Sequence, residues 1–525
     1  MRKLAVYVSL AVAAAVAAVL VVRLRRGDTV EVKDYARTER PARISPDYAG
    51  CVIPPNVAPL NFVVREPAKT YLVRIAAEGG ERIDVVSRSG RIIIPTGPWK
   101  GLLRANRGGQ LTVEVFTRAD DGTWRRFEPV VNTVANEEID GYLVYRLMRP
   151  LYNLWRSIAI HQRNLGNYDE RVILHNRSFG GGCVNCHTFL RNRPVRMAIN
   201  IRGRSGTAAP GGLLLSRNDS VEKIVNTKTA FNPIPAIYLA WHPSGKALAF
   251  STNKIVQAFH STGENRHVFD YRSDLALYFP RTNTVTTTPE IAIPNRLETY
   301  PTWSPDGKHL YFCRGPQLPI KRYRRMRYDL MRISYDIDTG TWGKCETVLS
   351  AAETKRSITH PRISPDGRFL LFCMCDHGNF SIYQPSSDLH LMDMTTGKHR
   401  RLAINSDLCE SWHTWSSNGR WVVFSSKRRD GVLAKPYFSY VDAQGKFHKP
   451  FVLPQKDPTF YDGFLKTYNV PELIRDPLQL TERTIARALY APEMTVKAQL
   501  DPNVKALKPT GPGAEDTRYE PGPGG

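Results

Sequence analysis

Residues 300–313 read YPTWSPDGKHLYFC, and residues 360–373 read HPRISPDGRFLLFC. In both segments a short strand runs into a Ser-Pro-Asp-Gly turn, and a strand of alternating character leaves it. Two looser copies, YLAWHPSGKALAFS at 238–251 and HTWSSNGRWVVFSS at 413–426, depart from the SPDG core. The spacing is regular: 62, 60 and 52 residues separate the turn glycines Gly245, Gly307, Gly367 and Gly419. Turn chemistry repeated at this period predicts the blades of a β-propeller.

A third strand follows each copy of the repeat. These strands read DLALYF (274–279), DLMRISYDID (329–338), DLHLMDM (388–394) and PYFSYVD (436–442). Strands near 196–202 and 213–217 can supply another blade, and the segment after Phe451 can help to close the ring. We expect six blades, within a range of five to seven.

Upstream of the repeats stands SFGGGCVNCHTF, residues 178–189. Cys183 and Cys186 have the spacing at which two thiols add across the two vinyl groups of haem, and His187 then becomes the proximal iron ligand. Gly180, Gly181 and Gly182 would give the backbone room beside a flat macrocycle. The motif predicts one covalently bound haem c.

Two other interpretations of the motif are weaker. A redox dithiol would need CxxC to open a helix inside a βαβ unit, and no such unit surrounds it. A zinc site would need further ligands, but no second CxxC exists among the eight cysteines. Cys313 and Cys373 end equivalent strands and are expected to be small buried residues.

The sequence offers several candidates for the sixth iron ligand. His260, in NKIVQAFHSTG, lies in a loop expected on the propeller face where the chain enters each blade. Met197, in RPVRMAIN, is near the motif but is also an ordinary strand residue. His161 and His175 are weaker candidates, and an open or water-bound iron is a further alternative.

A second candidate site is a ring of side chains just before the first strands of three blades. Its members are Tyr300, His360 and His413, with Glu298 and Glu410 nearby. Such a ring would bind a metal or a small substrate at the mouth of the channel. The alternative is that these groups form hydrogen bonds between blades.

The amino terminus is apolar from Leu4 to Val22, with basic residues on both sides. Nineteen residues at about 1.5 Å each reach roughly 28 Å, about one hydrocarbon core. We predict an uncleaved membrane anchor, with a cleaved signal peptide as the alternative. Because haem c is attached outside the bacterial cytoplasm, the bulk of the chain is expected in the periplasm, anchored to the inner membrane by a single pass.

The net charge of +24 includes one dense cluster, KRYRRMR at 321–327. Such a surface suits nucleic acid, anionic lipid or an acidic protein. Export excludes nucleic acid, which leaves the membrane and a redox partner or periplasmic complex.

The predicted organisation is mainly β. It comprises a transmembrane anchor (1–27), a linker (28–50), a β-sandwich-like domain (51–136), a helical linker with the haem motif (137–195), a propeller (196–470), a C-terminal segment packed on it (471–499) and a disordered tail (500–525). The helix at 137–165 is predicted from Leu143, Leu147, Leu151, Leu154/Trp155 and Ile158, which recur at three- and four-residue spacing.

The S-P-D-G-K/R units resemble the WD40-like repeats of TolB-type propellers. The whole arrangement also resembles bacterial TolB-like propeller proteins that carry one c-type haem motif, a group whose molecular role is poorly defined. Three functions stay open: a membrane-tethered monohaem cytochrome that transfers electrons and docks partners through the propeller, a haem-dependent enzyme with substrate at the channel, and a non-catalytic binding, assembly or sensing protein with a structural haem.

Overall fold

The computed structural model describes residues 31–149, 157–203, 211–258 and 267–504. This part of the chain divides into two compact units. The first contains the described residues up to Gly50, with Pro59–Val134 and Lys456–Thr459. The second contains Cys51–Ala58, Ala135–Gln455 and the described residues from Phe460 onward.

The first unit consists of two β-sheets and one helix, Thr96–Ala105. Its strands are Ala36–Pro41, Ile44–Ser45, Phe62–Val64, Thr70–Ala77, Ile83–Ser87, Arg91–Ile92, Gln110–Arg118, Trp124–Glu128 and Val130–Val134. The unit is mainly β, as expected, and contains a helix that was not foreseen; the sandwich-like packing predicted for 51–136 stays a prediction.

The predicted linker at 28–50 is wrong in part. Ala36–Pro41 is a strand that pairs in parallel with Trp124–Glu128, and Ile44–Ser45 pairs with Phe62–Val64. The strand Ala36–Pro41 is almost wholly exposed and carries charges, as protected sheet edges do. Without an apolar face it has no strand signature in the sequence.

The second unit is a six-bladed β-propeller. From the axis outward, blade 1 contains Cys183–Leu190, Arg193–Arg202, Gly212–Arg217 and Ser220–Asn226, and blade 2 contains Ile237–Trp241, Leu248–Ala258, His267–Phe279 and Thr284–Thr286. Blade 3 contains Arg296–Trp303, His309–Pro316, Asp329–Asp336 and Thr341–Leu349, and blade 4 contains Ser357–Ile363, Phe369–Cys375, Asp388–Asp393 and His399–Arg401. Blade 5 contains Glu410–Trp415, Trp421–Ser426, Lys435–Tyr440 and Phe451–Val452.

Blade 6 is built from both ends of the propeller sequence. Its inner strand, Thr467–Ile474, is C-terminal, whereas its outer strands Tyr142–Met148, Ile158–Asn164 and Glu170–His175 precede blade 1. This arrangement closes the ring by backbone hydrogen bonds. The segment after Phe451 thus closes the propeller, as expected.

The predicted helix at 137–165 is wrong. Residues 142–148 and 158–164 are strands of blade 6, and residues 150–156 lie outside the described part. Most residues of Tyr142–Met148 are buried, because neighbouring blades cover both faces of the sheet. A strand buried on both faces loses its alternation, and its apolar residues then fit helical spacing by coincidence.

The remaining elements are short. They are the strand Val52–Ile53, the helices Ala351–Thr354 and Glu482–Leu489, the 3-10 helices Asn176–Phe179, Pro289–Ile291, Ile320–Arg325, Ser381–Tyr383, Phe460–Asp462 and Pro492–Met494, and the strands Thr495–Lys497 and Gln499–Leu500. The last two strands add a fifth strand to blades 1 and 2. Within the described residues, no helix has the length and apolar character needed to cross a membrane; the predicted anchor at 1–27 lies outside them.

Candidate functional site at the propeller axis

The inner strand of every blade contains one extra residue relative to its neighbour, which forms a β-bulge. In five blades a non-glycine residue with positive φ (44° to 54°) stands at the bulge: Tyr238, Tyr300, His360, Trp412 and Val470. We call these the ring residues. In blade 1 the bulge lies between Val184 and His187, so it falls within the CVNCH motif.

Four ring residues carry aromatic side chains that meet at the axis. The ring centroids are 4.4 Å apart for Tyr238 and Tyr300, 3.9 Å for Tyr300 and His360, and 4.2 Å for His360 and Trp412. Tyr300, His360 and Trp412 are at most 8% exposed. The aromatic cluster therefore blocks the channel, and a separate cavity lies on each side of it.

The predicted ring of His and Glu residues is only partly correct. Tyr300 and His360 do converge, but Trp412, not His413, is the blade 5 member. His413 is one residue further along the strand; its Nε2–H donates to the Leu371 carbonyl (3.0 Å) and its Nδ1 faces the Cys373 Sγ at 3.6 Å. Successive strand residues point to opposite faces, so His413 bonds between blades.

The two glutamates are also structural. Glu298 pairs with Arg314 at 2.9 Å, and Glu410 accepts hydrogen bonds from Ser406, Ser426 and Arg428. Across the described residues no three His, Cys, Asp or Glu side chains gather as a metal site. The alternative of hydrogen bonds within and between blades is the correct one for these groups.

The CVNCH motif forms the first half of the innermost strand of blade 1. It does not lie in a linker, and its three functional side chains are 7%, 4% and 2% exposed for Cys183, Cys186 and His187. Cys186 packs in the axial cluster with Tyr300 and Trp412. The His187 ring lies 6.1 Å from that of Phe189, whose side chain packs in the core between blades 1 and 6.

His187 is a buried imidazole, and neither ring nitrogen makes a hydrogen bond of normal geometry among the described residues, although the Val144 backbone interacts with it. Burial, together with the charge of Arg146, lowers its pKa to about 3. The ring is therefore neutral at physiological pH, the form that binds metals. Each unmet buried polar group costs roughly 1–3 kcal/mol.

A cavity of about 80 Å³ adjoins Cys183; we call it the Cys183 cavity. Apolar and aromatic side chains line it, among them Met148, Ile158, Tyr238 and Trp412, and two guanidinium groups, Arg146 and Arg202, reach it. Arg146 donates a hydrogen bond to Asn185. Aromatic walls with two cations suit a flat apolar group that carries acidic substituents.

Two buried thiols and a neutral imidazole at CxxCH spacing fit haem c by their chemistry. Burial raises the pKa of both thiols, Cys183 and Cys186. The cavity is well below the roughly 300–1,000 Å³ of ordinary ligand pockets. Holding a haem would therefore require the start of this strand to open.

The glycines before the motif have a different use from the one expected. A Cβ at Gly182 would lie 2.3 Å from the Arg202 carbonyl oxygen and 2.7 Å from the Phe179 ring. Gly180 and Gly181 have φ of 76° and 77°. These residues allow the strand to pack closely against its own blade.

The two candidates for the sixth ligand differ in how far the structure describes them. Met197 is fully buried, pairs with Phe189 and packs in the core between blades 1 and 6. His260 lies outside the described residues, although Ile255 and Val268, on the strands that lead to it, line the Cys183 cavity. The identity of the sixth ligand stays a prediction.

His161 and His175 both have polar partners in the fold. His161 pairs with Glu170 at 2.7 Å, and His175 caps the 3-10 helix Asn176–Phe179 by accepting from the Arg177 N–H. All eight cysteines are free thiols, seven of them buried. Cys313 and Cys373 are small buried residues, as expected.

The chain matches no known protein family and no curated protein. Solved structures with distant similarity include the Dos1 propeller (14% identity, TM-score 0.34), for which the match covers 53% of this chain and 63% of that one. Others are a nidogen/laminin complex (8%, TM-score 0.36, 64% and 100%) and prolyl oligopeptidase B from Galerina marginata (9%, TM-score 0.33, 65% and 42%). The propeller is established by the strand topology of the chain itself.

Proposed function

We propose that this chain is a membrane-tethered, periplasmic c-type cytochrome with one haem, whose propeller docks a redox partner. The observation that carries the proposal is the buried His187 directly after a CxxC pair, with no hydrogen bond of normal geometry on its ring. Cys183 and Cys186 would hold the haem by thioether bonds, and His187 would ligate the iron. Bound in this way, a haem supplies one-electron transfer.

The burial of the thiols determines when attachment can occur. Cys183 and Cys186 are almost fully enclosed in the folded blade, and their raised pKa disfavours the reactive thiolate. Attachment therefore has to precede the packing of blade 1 against blade 6. Once blade 1 has packed, burial favours the neutral imidazole, which is the form that binds iron.

The charge distribution favours an acidic partner that docks near the motif. The 3-10 helix Ile320–Arg325 connects the second and third strands of blade 3, an end of the blade that is shared with the start of each inner strand. Its basic side chains are exposed. Tyr323 lies 5.6 Å from His377, in the blade 4 connection whose Tyr383 lines the Cys183 cavity. A basic rim beside the motif would steer an acidic protein.

Localisation is proposed from the sequence. Residues 1–27 would anchor the chain in the bacterial inner membrane, and the cofactor requires the rest to be periplasmic. Of the partners that a charge of +24 suits, an acidic periplasmic protein is then favoured over nucleic acid.

The test of the cofactor is covalent haem staining. Full-length protein from a host that matures c-type cytochromes should retain peroxidase-active haem on a denaturing gel, at one haem per chain. Cys183→Ala/Cys186→Ala should lose it, and Cys345→Ala, at a half-buried thiol outside the motif, should keep it. An unstained band beside a matured control cytochrome would reject the proposal.

Absorption spectra test the electron-transfer role. A haem that stays unchanged when carbon monoxide is added would have both axial positions filled, as electron transfer needs. Ready binding of carbon monoxide would instead support a haem-dependent enzyme. Comparing His260→Ala with Met197→Ala identifies the sixth ligand, since only loss of the true ligand opens the iron.

A further inference from the structure

A second cavity, of about 180 Å³, lies on the other side of the aromatic cluster; we call it the channel cavity. Five of its lining residues follow the ring residues by two positions, one in each of five blades, and they are Ala240, Thr302, Arg362, Thr414 and Glu472. The propeller repeat therefore directs one side chain per blade into this space. Two of these side chains are ionisable and three are small.

Arg362 is the main source of hydrogen-bond donors in the channel cavity. Its guanidinium makes no hydrogen bond or ion pair of 4.0 Å or less to any described residue, although Glu472 lines the same cavity. Trp241 and Trp303, which are 8% and 6% exposed, also line the cavity, and their indole N–H groups have no partner in the described part. Three hydrogen-bond donor groups on residues that line the channel cavity therefore lack acceptors. Leaving them so is energetically unfavourable unless a ligand or water accepts their hydrogen bonds.

Glu472 does not neutralise this excess of donors. Burial raises its pKa to about 8, against smaller lowering effects from Arg362, the Phe189 N–H and the Thr188 hydroxyl. The carboxyl group is therefore mainly protonated at neutral pH. Arg191 also lines the cavity but is exposed, so Arg362 is the less exposed of its two cations, and the protonated Glu472 adds an O–H donor.

We propose that the channel cavity binds a small monocarboxylate with an apolar body, held by the Arg362 guanidinium and the indole N–H groups of Trp241 and Trp303. A planar guanidinium fork matches the two oxygens of a carboxylate. The apolar part of the ligand would lie against Ile363 and the indole of Trp415, both of which line the cavity. The lining of this site does not include Cys183, Cys186 or His187.

Charge and polarity favour this class over the nearest alternatives. A phosphate dianion would meet Arg362 as the only cation that is not exposed, since Arg191 is open to solvent, and so would carry uncompensated charge. An ammonium ligand would face Arg362 directly and leave all the unpartnered donors unmet. A neutral sugar would bring donors of its own to a site that needs acceptors.

Benzoate is the probe for the experiment. Titration of the full-length protein, followed by tryptophan fluorescence and by calorimetry, should give saturable binding with one site per chain. Arg362→Gln should weaken binding by roughly tenfold to a hundredfold, as expected for a lost charged hydrogen bond. Arg332→Gln, at an exposed arginine paired with Glu346, should bind benzoate normally.

Two more variants distinguish the channel cavity from a folding defect and from the haem iron. Trp303→Phe removes the indole N–H and keeps an aromatic ring, although a smaller one, so it should weaken binding by several-fold even if Arg362→Gln fails to fold. Cys183→Ala/Cys186→Ala should bind benzoate normally, because a carboxylate bound to haem iron would lose its site in that protein. Absence of benzoate binding overturns the proposal. Equal binding to Arg362→Gln, or preference for inorganic phosphate or propylammonium over benzoate, overturns it as well.

Discussion

At the scale of single residues, one position in each of five blades determines which side chains lie at the propeller axis. This position lies four residues before the first residue of the turn. In blade 3 it is Tyr300, followed by Trp303 just before the turn, and in blade 5 it is Trp412, followed by Trp415. Positive φ is costly for residues with a Cβ, so packing around the axis has to enforce it. This constant offset was available in the sequence, and it would have identified Trp412 in place of His413.

Among the described glycines, Gly182 is one at which added volume should be poorly tolerated, because a backbone atom stands where the Cβ would lie. We expect Gly182→Ala to lower the free energy of unfolding by about 1–3 kcal/mol, because the new Cβ would meet the Arg202 backbone at 2.3 Å. Gly463→Ala is the matched control, since no atom lies within 4 Å of its Cβ position. It should change stability by less than about 0.5 kcal/mol. Urea unfolding measures both, and equal effects would contradict the packing argument.

Burial of His413 predicts a dependence of stability on pH. Its pKa is lowered to about 3 from an ordinary value of 6.5, mainly by burial. Below pH 6.5 the unfolded chain takes up a proton that the folded chain refuses, so this contribution to stability is complete above pH 6.5 and is lost progressively toward pH 3.

The measurement is the urea midpoint between pH 7 and pH 4. In His413→Gln, whose amide can still donate to Leu371, the decline should be shallower than in the parent protein. His399→Gln, at an exposed histidine, should leave the decline unchanged. A slope unaffected by His413→Gln would show that this imidazole does not resist protonation.

At the scale of elements, the irregular repeats have structural reasons. Blade 2 carries His-Pro-Ser-Gly where blades 3 and 4 carry Ser-Pro-Asp-Gly. Within the turn, Ser244 hydrogen-bonds to His242 Nδ1 at 2.7 Å. The other ring nitrogen donates to the Gly307 carbonyl in the turn of blade 3, at 3.1 Å. A departure from the repeat thus links two neighbouring blades.

Restoring the repeat should therefore weaken the protein. We expect His242→Ser to cost about 1–3 kcal/mol in the free energy of unfolding, because it removes this hydrogen bond and an edge contact with Trp303 at 4.7 Å. Lys246→Ala removes an exposed ion pair with Asp338 near the same turn and should cost less than about 0.5 kcal/mol. A stabilised His242→Ser protein would mean that the consensus turn outweighs the contact between blades.

At the scale of the whole propeller, stability depends on closure by a C-terminal strand. Thr467–Ile474 pairs with Tyr142–Met148, so two segments more than 300 residues apart in sequence form one blade. Blade 6 has no inner strand without it, and blades 5 and 1 then each lose a neighbour. Repeat folds lose cooperativity when a terminal unit is left uncovered.

Truncation tests this closure. A chain that ends at residue 466 should lose cooperative thermal unfolding or aggregate, whereas a chain that ends at Val504 should unfold like the full-length protein. Soluble yield and thermal melts by circular dichroism give the comparison. A truncated chain of 466 residues with the normal midpoint would contradict closure by the inner strand of blade 6.

Features that depend on local chemistry could be predicted from the sequence without the structure. The turns, with glycine where φ is positive, and the alternating strands after them predicted a propeller and its most regular blades. The spacing of Cys183, Cys186 and His187 predicts a covalent haem from the reactivity of adjacent residues, and this stays a prediction. Both depend on residues within a few positions of one another.

The other features required the folded structure, because they depend on contacts between residues distant in the chain. Blade 6 joins residues 142–175 to residues 467–474, and its double-sided burial removed the alternation that marks a strand. The motif lies in the inner strand of blade 1, and its imidazole packs against blade 6, which is completed only by the C-terminal strand Thr467–Ile474. Arg362 and Glu472 share a cavity because five blades each contribute the same register position, a proximity that no local pattern in the sequence specifies.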